Sequence, residues 1–461
     1  MMRKLAATLF GASLLWSAGS AQADDELDRI PQMAPPPAAP ATDANQKIFL
    51  QNDVIGTVRR NDLVVAFPPP QPARWEERLF GDARMDWALG RDVRFVFSDR
   101  FNLRAEDGLD FPSHEDVRND FREGYLAWAA DSATFFDIGR INLKSGVALG
   151  FNPTDFFKTR AVVEPLSADP SVLREDRLGT FMLTGQHLWE HAALTVAAAP
   201  KLTDPSAIYL NTNLPSFNPM FDRTNASTRI LVKGSVGLFE DFAPELLAFS
   251  NDGHWSYGAN LTRGIGQQIV AYLEWAGGSS TDLADAALTY GKMTGTIPLA
   301  APSLLPSDTT PSFHNDLAAG FSYTTESKIT FNFEYHYHQA GFSDADWTHW
   351  FGAGALHNPA ADAELWYIRG YAADQLEPTA REETFLRADW TDAFIEDLEI
   401  TAFVNTDLRD FSSFAQATAD YYVSREWTVG ALTAASFGGK RTDYGSLPGA
   451  ETFLIRVSRY F

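Results

Sequence analysis

His336 and His338 stand two residues apart, and two imidazoles on one side of an extended strand can bind a metal ion. Spacing supplies no third ligand, so the pair reads as polar groups on a strand face. The chain contains no cysteine. Disulfides, thiolate metal sites, a Cys nucleophile and a Cys-linked lipid anchor are thereby excluded. Gly-x-Ser-x-Gly and His-Glu-x-x-His are absent, and no pair of carboxylates is identifiable by spacing as an acid–base couple. The chain is therefore read as a non-enzyme, with no catalytic residue, no cofactor and no metal. The 60 acidic residues outweigh the 37 basic ones, for a net charge of −23. That balance argues against nucleic-acid binding, which wants a basic footprint.

The histidines belong to a wider pattern. From Lys328 to His338, Ile329, Phe331, Phe333, Tyr335 and Tyr337 alternate with Thr330, Asn332, Glu334, His336 and His338. A period of two sends the sets to opposite sides of a strand. Leu79, Ala83, Met85 and Trp87 likewise alternate with Asp82, Arg84 and Asp86. Val93, Phe95, Phe97 and Phe101 alternate with Arg94, Ser98 and Arg100. The same pattern recurs through Ile230 and Val232, Trp255 to Leu261, Leu386 to Trp390, and Ile400 to Val404. One such strand fits a half-buried soluble sheet. A dozen or more, with few helical runs between them, call for a large barrel or propeller.

Connections alternate between short and long. Short ones fall near residues 90–92, 130–133, 190–191, 240–241, 264–267, 325–327, 391–397 and 425–426. Long ones fall near 104–117, 146–177, 201–225, 278–313 and 339–380. Membrane barrels have short turns on the periplasmic side and long loops outside. Trp87, Trp128, Trp189, Trp390 and Trp427 sit by the short turns, where an interfacial aromatic girdle belongs.

The two ends of the chain agree with this. Arg3 and Lys4, an apolar run from Leu5 to Trp16, and Ala21-Gln22-Ala23 form a secretory signal over residues 1–23. Beyond it no stretch of about 18 apolar residues occurs, so no transmembrane helix is available. Residues 24–59 begin acidic and Pro-rich and read as a periplasmic tail, and 60–461 as the barrel. The expected fold is all-β: an antiparallel, up-and-down transmembrane barrel of about 18 strands, with 16 as the alternative. Its first strand is expected at Asn61 to Phe67. The last segment, Glu451 to Phe461, alternates and stops on an aromatic.

That terminal strand resembles the signal by which the outer-membrane assembly machinery recognises its substrates. Arg459 departs from the pattern, since an apolar residue is usual there. Residues 60–461 resemble bacterial outer-membrane β-barrels in general. A strand ending in Gly139-Arg140, followed by Asn152-Pro153-Thr154-Asp155, resembles porin-like barrels and, more loosely, exopolysaccharide-export barrels. The resemblance implies a place in the outer membrane of a Gram-negative cell. It implies lipids and the assembly machinery as partners, with a small polar solute or an exported polymer as cargo. The function expected is passive diffusion through a charged, loop-constricted lumen, with polymer export as the alternative.

Two groups of residues would set that passage. The inward faces offer Arg84, Arg94, Arg100, Arg140, Lys144, Arg229 and Lys233 early in the chain. Later they offer Glu274, Glu334, His336, His338, Asp389 and Glu399. A basic arc facing an acidic one would set a transverse field. The long segment 146–177 is expected to fold inward as a constriction. Phe156 and Phe157 would anchor it, with Asn152, Asp155, Lys158 and Arg160 at the passage.

Overall fold

The computed structural model describes residues 45–107, 117–163, 165, 167–208, 218–239, 242–306 and 309–461. The expected signal peptide and the Pro-rich stretch up to residue 44 lie outside them.

The chain forms 18 strands. The first nine are β1 (Asn45–Arg59), β2 (Trp75–Ala88), β3 (Val93–Glu106), β4 (Val117–Ala129), β5 (Thr134–Ile141), β6 (Thr180–Trp189), β7 (Ala192–Ala199), β8 (Arg229–Val236) and β9 (Glu245–Asn251). Next come β10 (His254–Ile265), β11 (Ile269–Ser280), β12 (Ser312–Thr324), β13 (Ile329–His338) and β14 (Glu382–Trp390). The last are β15 (Leu398–Asp407), β16 (Ser413–Tyr422), β17 (Trp427–Phe437) and β18 (Gly449–Tyr460). Each strand pairs antiparallel with its neighbours in sequence, and β1 pairs with both β2 and β18. The sheet is therefore a closed barrel with no free edge, as a membrane-spanning sheet must be.

The expected first strand is corrected. Asn61 to Phe67 lies in the β1–β2 connection, and the barrel begins at Asn45 rather than at residue 60. Pro68, Pro69 and Pro70 have no N–H to give a ladder. Val65 is instead buried, its carbonyl accepting from Trp366 Nε1 at 3.3 Å. On β1 the outward positions include Leu50, Val54 and Val58, but Asn52 and Gly56 interrupt the apolar alternation. That interruption hid the strand.

The faces follow the expected alternation. On β13, Asn332, Glu334, His336 and His338 are buried while Phe331 and Phe333 are exposed. Leu79, Ile138, Leu183, Leu386 and Ile455 are also exposed, at 42 to 63%. So continuous an apolar surface is not tolerated in water and fits lipid. Trp128, Trp189 and Trp427 are exposed at the short-turn end, where an interfacial girdle sits. Arg459, the irregular residue near the C-terminus, lies over the Trp427 and Phe461 rings at 5.3 and 4.7 Å.

Two long-end connections are short, those joining β9 to β10 and β15 to β16. Asp252 and Gly253 join β9 to β10 with φ of 48° and 88°. An Asp-Gly pair with positive φ at both positions makes the tight hairpin turn that matches strand twist.

Among the described residues, five α-helices lie in the connections: α1 (Pro170–Glu175), α2 (Phe221–Thr224), α3 (Leu283–Met293), α4 (Asp344–Gly354) and α5 (Pro359–Gln375). Ser343 and Asp346 form a reciprocal capping box on α4. Asn358 caps α5, with Pro359 in its first turn. α3, α4 and α5 bury Leu288, Trp347, Trp350, Phe351, Leu365 and Ile368 in one apolar cluster, with Val65 and Ile208 joining from other connections. This helical cap stands at the long-loop end.

Candidate functional site: an inner loop across the barrel

The β5–β6 connection, residues 142–179, leaves the rim and runs inside the wall. Gly146 has φ +84°, and a Cβ there would fall 2.5 Å from the Glu274 carboxylate. Only glycine permits both the turn and this approach. The next four backbone N–H groups then meet two carboxylates. Val147 and Ala148 donate to Glu274 Oε1, Ala148 at 2.5 Å. Leu149 and Gly150 donate to Glu334 at 2.6 and 2.9 Å. Tyr272 Oη also donates to Glu334, at 2.6 Å, and His336 Nε2 lies 2.7 Å from it. Thr154 Oγ1 is 3.0 Å from Glu274 and 2.8 Å from Asn260 Oδ1. Glu274 and Glu334 are fully buried. A buried carboxylate costs several kcal/mol unless donors surround it, and here the loop backbone supplies them.

The loop then touches one wall after another. Phe156 stacks on Phe249 of β9 at 4.6 Å, and Arg229 of β8 lies 4.9 Å over Phe157. Arg160 donates to Asp374 of α5 at 3.0 Å, and Asp374 also accepts from Arg223 at 2.5 Å. Farther on, Asp169 accepts from Arg387 of β14 at 2.8 Å, and Ser167 from Gln416 of β16 at 2.8 Å. Finally Asp176 meets Arg100 of β3 at 2.5 Å and Arg122 of β4 at 3.5 Å. β8 and β16 are almost opposite in a ring of 18 strands, so the loop crosses the interior.

Inside the loop, Asp155 accepts from Arg177 at 2.5 Å. Lys158 is buried, donating to the Asn152 carbonyl at 2.9 Å and lying 4.5 Å over Phe151. Burial pushes the Lys158 ammonium below the usual lysine range, against the pull of Glu377, Asp155 and Asp316. Asn152, Asp155, Phe156, Phe157, Lys158 and Arg160 thus all take part in holding the loop in place.

The expected wall residues divide. Arg84, Arg94, Arg100, Arg229, Lys233, Glu274, Glu334, His336, His338, Asp389 and Glu399 lie at inward register positions. Arg140 does not. It pairs with Phe181, which is exposed on the outer face beside Ile138 and Leu183. Its guanidinium is nevertheless buried, donating to the Gly179 and Pro219 carbonyls at 2.8 and 2.6 Å. Lys144 belongs to the inner loop rather than to a strand, and pairs with Glu175.

The expected transverse field is also corrected, because the charges pair locally. Arg100 meets Asp82 at 2.8 Å, Arg94 meets Asp86 at 2.9 Å, and Arg84 meets Glu123 at 3.4 Å. Lys233 meets Glu245 at 3.4 Å, and Arg387 meets Asp389 at 2.7 Å. Glu399 accepts from Tyr422 Oη at 2.8 Å. On the late strands, Arg456 pairs with Asp420 across β17, where a Cβ on Gly430 would collide with both side chains. His338 Nδ1 lies 2.8 Å from Asp316. Among the described residues, no cluster of three or more His, Asp or Glu is arranged to hold a metal.

Sequence reasoning missed Arg122. The β3–β4 register shifts at Ser98/Asp99, leaving Arg122 as the extra residue of a bulge. The bulge turns it toward Asp82 and Asp176. Strict alternation cannot find such a residue. The loop's other partners, Asn260, Tyr272 and Arg387, are distant in sequence and left no local signal.

No family model and no curated protein matches the chain. Among solved structures it is similar to OccK5 (OpdH) of Pseudomonas aeruginosa, with a TM-score of 0.52 and 10% identity over 91% of this chain and 98% of that one. It is also similar to OccK11 (OpdR) of the same organism, with a TM-score of 0.50 and 9% identity over 91% and 96%. At such identity the likeness is one of fold. With the closed 18-strand barrel and its lipid-facing belt, it makes this chain an outer-membrane protein with a porin-type fold.

Proposed function

We propose that the barrel is a passive channel for small polar solutes, narrowed by the inner loop. One observation carries this reading: the loop crosses the interior and is held by wall residues on both sides, Arg229 of β8 over Phe157 and Gln416 of β16 on Ser167. A strap pinned across the lumen narrows it, which disfavours a polymer more than a small solute. Paired charges along the wall favour polar solutes of either sign over strong ion selectivity. The long loops then face outward and the short turns the periplasm.

Single-channel recording in planar bilayers tests this. The full chain should conduct steadily. Replacing residues 147–176 by a short Gly-Ser linker should raise conductance severalfold. Equal conductance would sink the constriction, and a silent wild-type protein would sink the channel. Block by an added polysaccharide would instead favour export. Phe461, whose N–H donates to the Ile48 carbonyl at 2.9 Å, is proposed as the assembly signal. Its deletion should impair insertion into the outer membrane while leaving export to the periplasm intact.

A further inference from the structure

The cap carries a cleft of about 440 Å³ that none of the barrel contacts explains. α3 supplies Asp285, Tyr290 and Met293 to its lining, and α5 supplies Tyr371. Three threonines and one alanine complete it, so no described lining residue is cationic. The volume falls within the range of small-molecule sites.

The walls have one consistent chemistry. The Tyr290 and Tyr371 rings line it in tilted contact with each other, 5.5 Å apart and inclined at 48°. Tyr290 is fixed there, its hydroxyl donating to the Ser206 carbonyl at 2.6 Å. Arg160, held by Asp374 and not lining the cleft, lies 5.1 Å from the Tyr290 centroid. Asp285 has no cation and no hydrogen-bond donor among the described residues, so its charge is available to the cleft. The Tyr371 hydroxyl is pushed above the ordinary tyrosine range by burial, and Glu377 and Asp374 add to this. Asp374 is already paired with Arg160 and Arg223, so Asp285 is the carboxylate left to the cleft.

We propose that this cleft binds a small organic cation, an alkylated or quaternary ammonium group, with Tyr290 and Tyr371 on its methyl faces and Asp285 as counter-ion. Aromatic corners with a carboxylate attract such groups because the ring quadrupole adds to the charge, while the alkyl shell keeps desolvation low. A bare metal ion needs several converging oxygens, and among the described lining residues only Asp285 offers a carboxylate. An anion would face Asp285 with no cation to balance it.

Calorimetry on the full chain, folded in detergent, tests the site without requiring a conducting pore. A silent channel would therefore not count against it. Choline is the probe. Its uncharged dimethylbutanol isostere, sodium chloride and maltose are the controls. Choline should bind saturably and the isostere far more weakly. Asp285→Asn and Tyr371→Leu should each weaken choline about three- to tenfold, while Tyr371→Phe keeps it. Heat-modifiable gel mobility checks that each variant is folded. Equal binding of choline and isostere, no choline binding, binding of maltose alone, or unchanged affinity in the folded Asp285→Asn and Tyr371→Leu variants would each overturn the proposal.

Discussion

The inner loop and the helical cap both rise from the same rim, yet they are held by opposite means. The cap buries tryptophans: Trp347 and Trp350 at 5.8 Å, and Trp350 and Trp366 at 5.5 Å. Beside the Phe156 stack, the inner loop is held by polar contacts: backbone N–H groups on the Glu274 and Glu334 carboxylates, Asp169 on Arg387 and Asp176 on Arg100. Apolar packing is non-directional and tolerates small shifts. Hydrogen bonds to a buried carboxylate fix position and angle, and they fail sharply when the acceptor changes. The cap is therefore built for stability and the loop for placement. An element that defines a passage needs the second.

The largest expected effect separates the two. Trp350→Ala should cost the cap about 3–5 kcal/mol, the usual penalty for emptying a large buried aromatic site. Amide exchange in α4 and α5 should accelerate, and proteases should cut 339–381 first. Protection at Leu149 and Gly150 should hardly change. If the loop amides lose protection together with α4, the two regions are one cooperative unit rather than two separately held ones.

The converse change is smaller. Glu334→Gln keeps the shape but removes the charge and turns an amide NH₂ toward groups that donate. A loss of about 1–3 kcal/mol in loop anchoring is expected. Exchange at Leu149 and Gly150 should quicken, channel current should become noisier, and α4 should stay protected. Unaltered protection at these two amides would show that Glu274 and the Phe156–Phe249 stack hold the loop without Glu334.

These regions were unequally legible in the sequence. Barrel strands announce themselves because lipid forces every second residue to be apolar, as from Ile329 to Tyr337. Where Asn52 and Gly56 broke that rule, β1 was missed. The inward loop was legible as a long segment with anchoring phenylalanines, and Phe156 does stack on Phe249. The roles of Glu274 and Glu334 were not. A lumenal carboxylate reads the same in sequence whether water or a distant backbone surrounds it. The cap helices carried usable signals in Ser343–Asp346 and Asn358-Pro359. They were passed over because short helices inside long connections lack the repeated period that strands display. Arg140 was misassigned because its guanidinium is satisfied by loop carbonyls, which no strand pattern records.

The smallest expected effect concerns how each region buries a cation. In the cap, Arg369 pairs with Asp443 and lies 5.4 to 5.6 Å from three tryptophan rings. In the loop, Lys158 has one carbonyl and one phenylalanine ring. Burial lowers the Lys158 pKa, so the folded protein gives up this proton more readily than the unfolded chain, whose lysine titrates near about 10.4. Between the folded pKa and that value the unfolded state binds more protons, and stability rises with pH. The contribution is complete above the unfolded value and is lost as pH falls through the folded one. Lys158→Met removes the titration, so the alkaline rise in loop stability should flatten. Exchange at Leu149 and Gly150, followed across the alkaline range in both proteins and corrected for intrinsic rates, reads this directly. Parallel profiles would mean that Glu377, Asp155 and Asp316 compensate the buried ammonium, making Lys158 as well paired as Arg369.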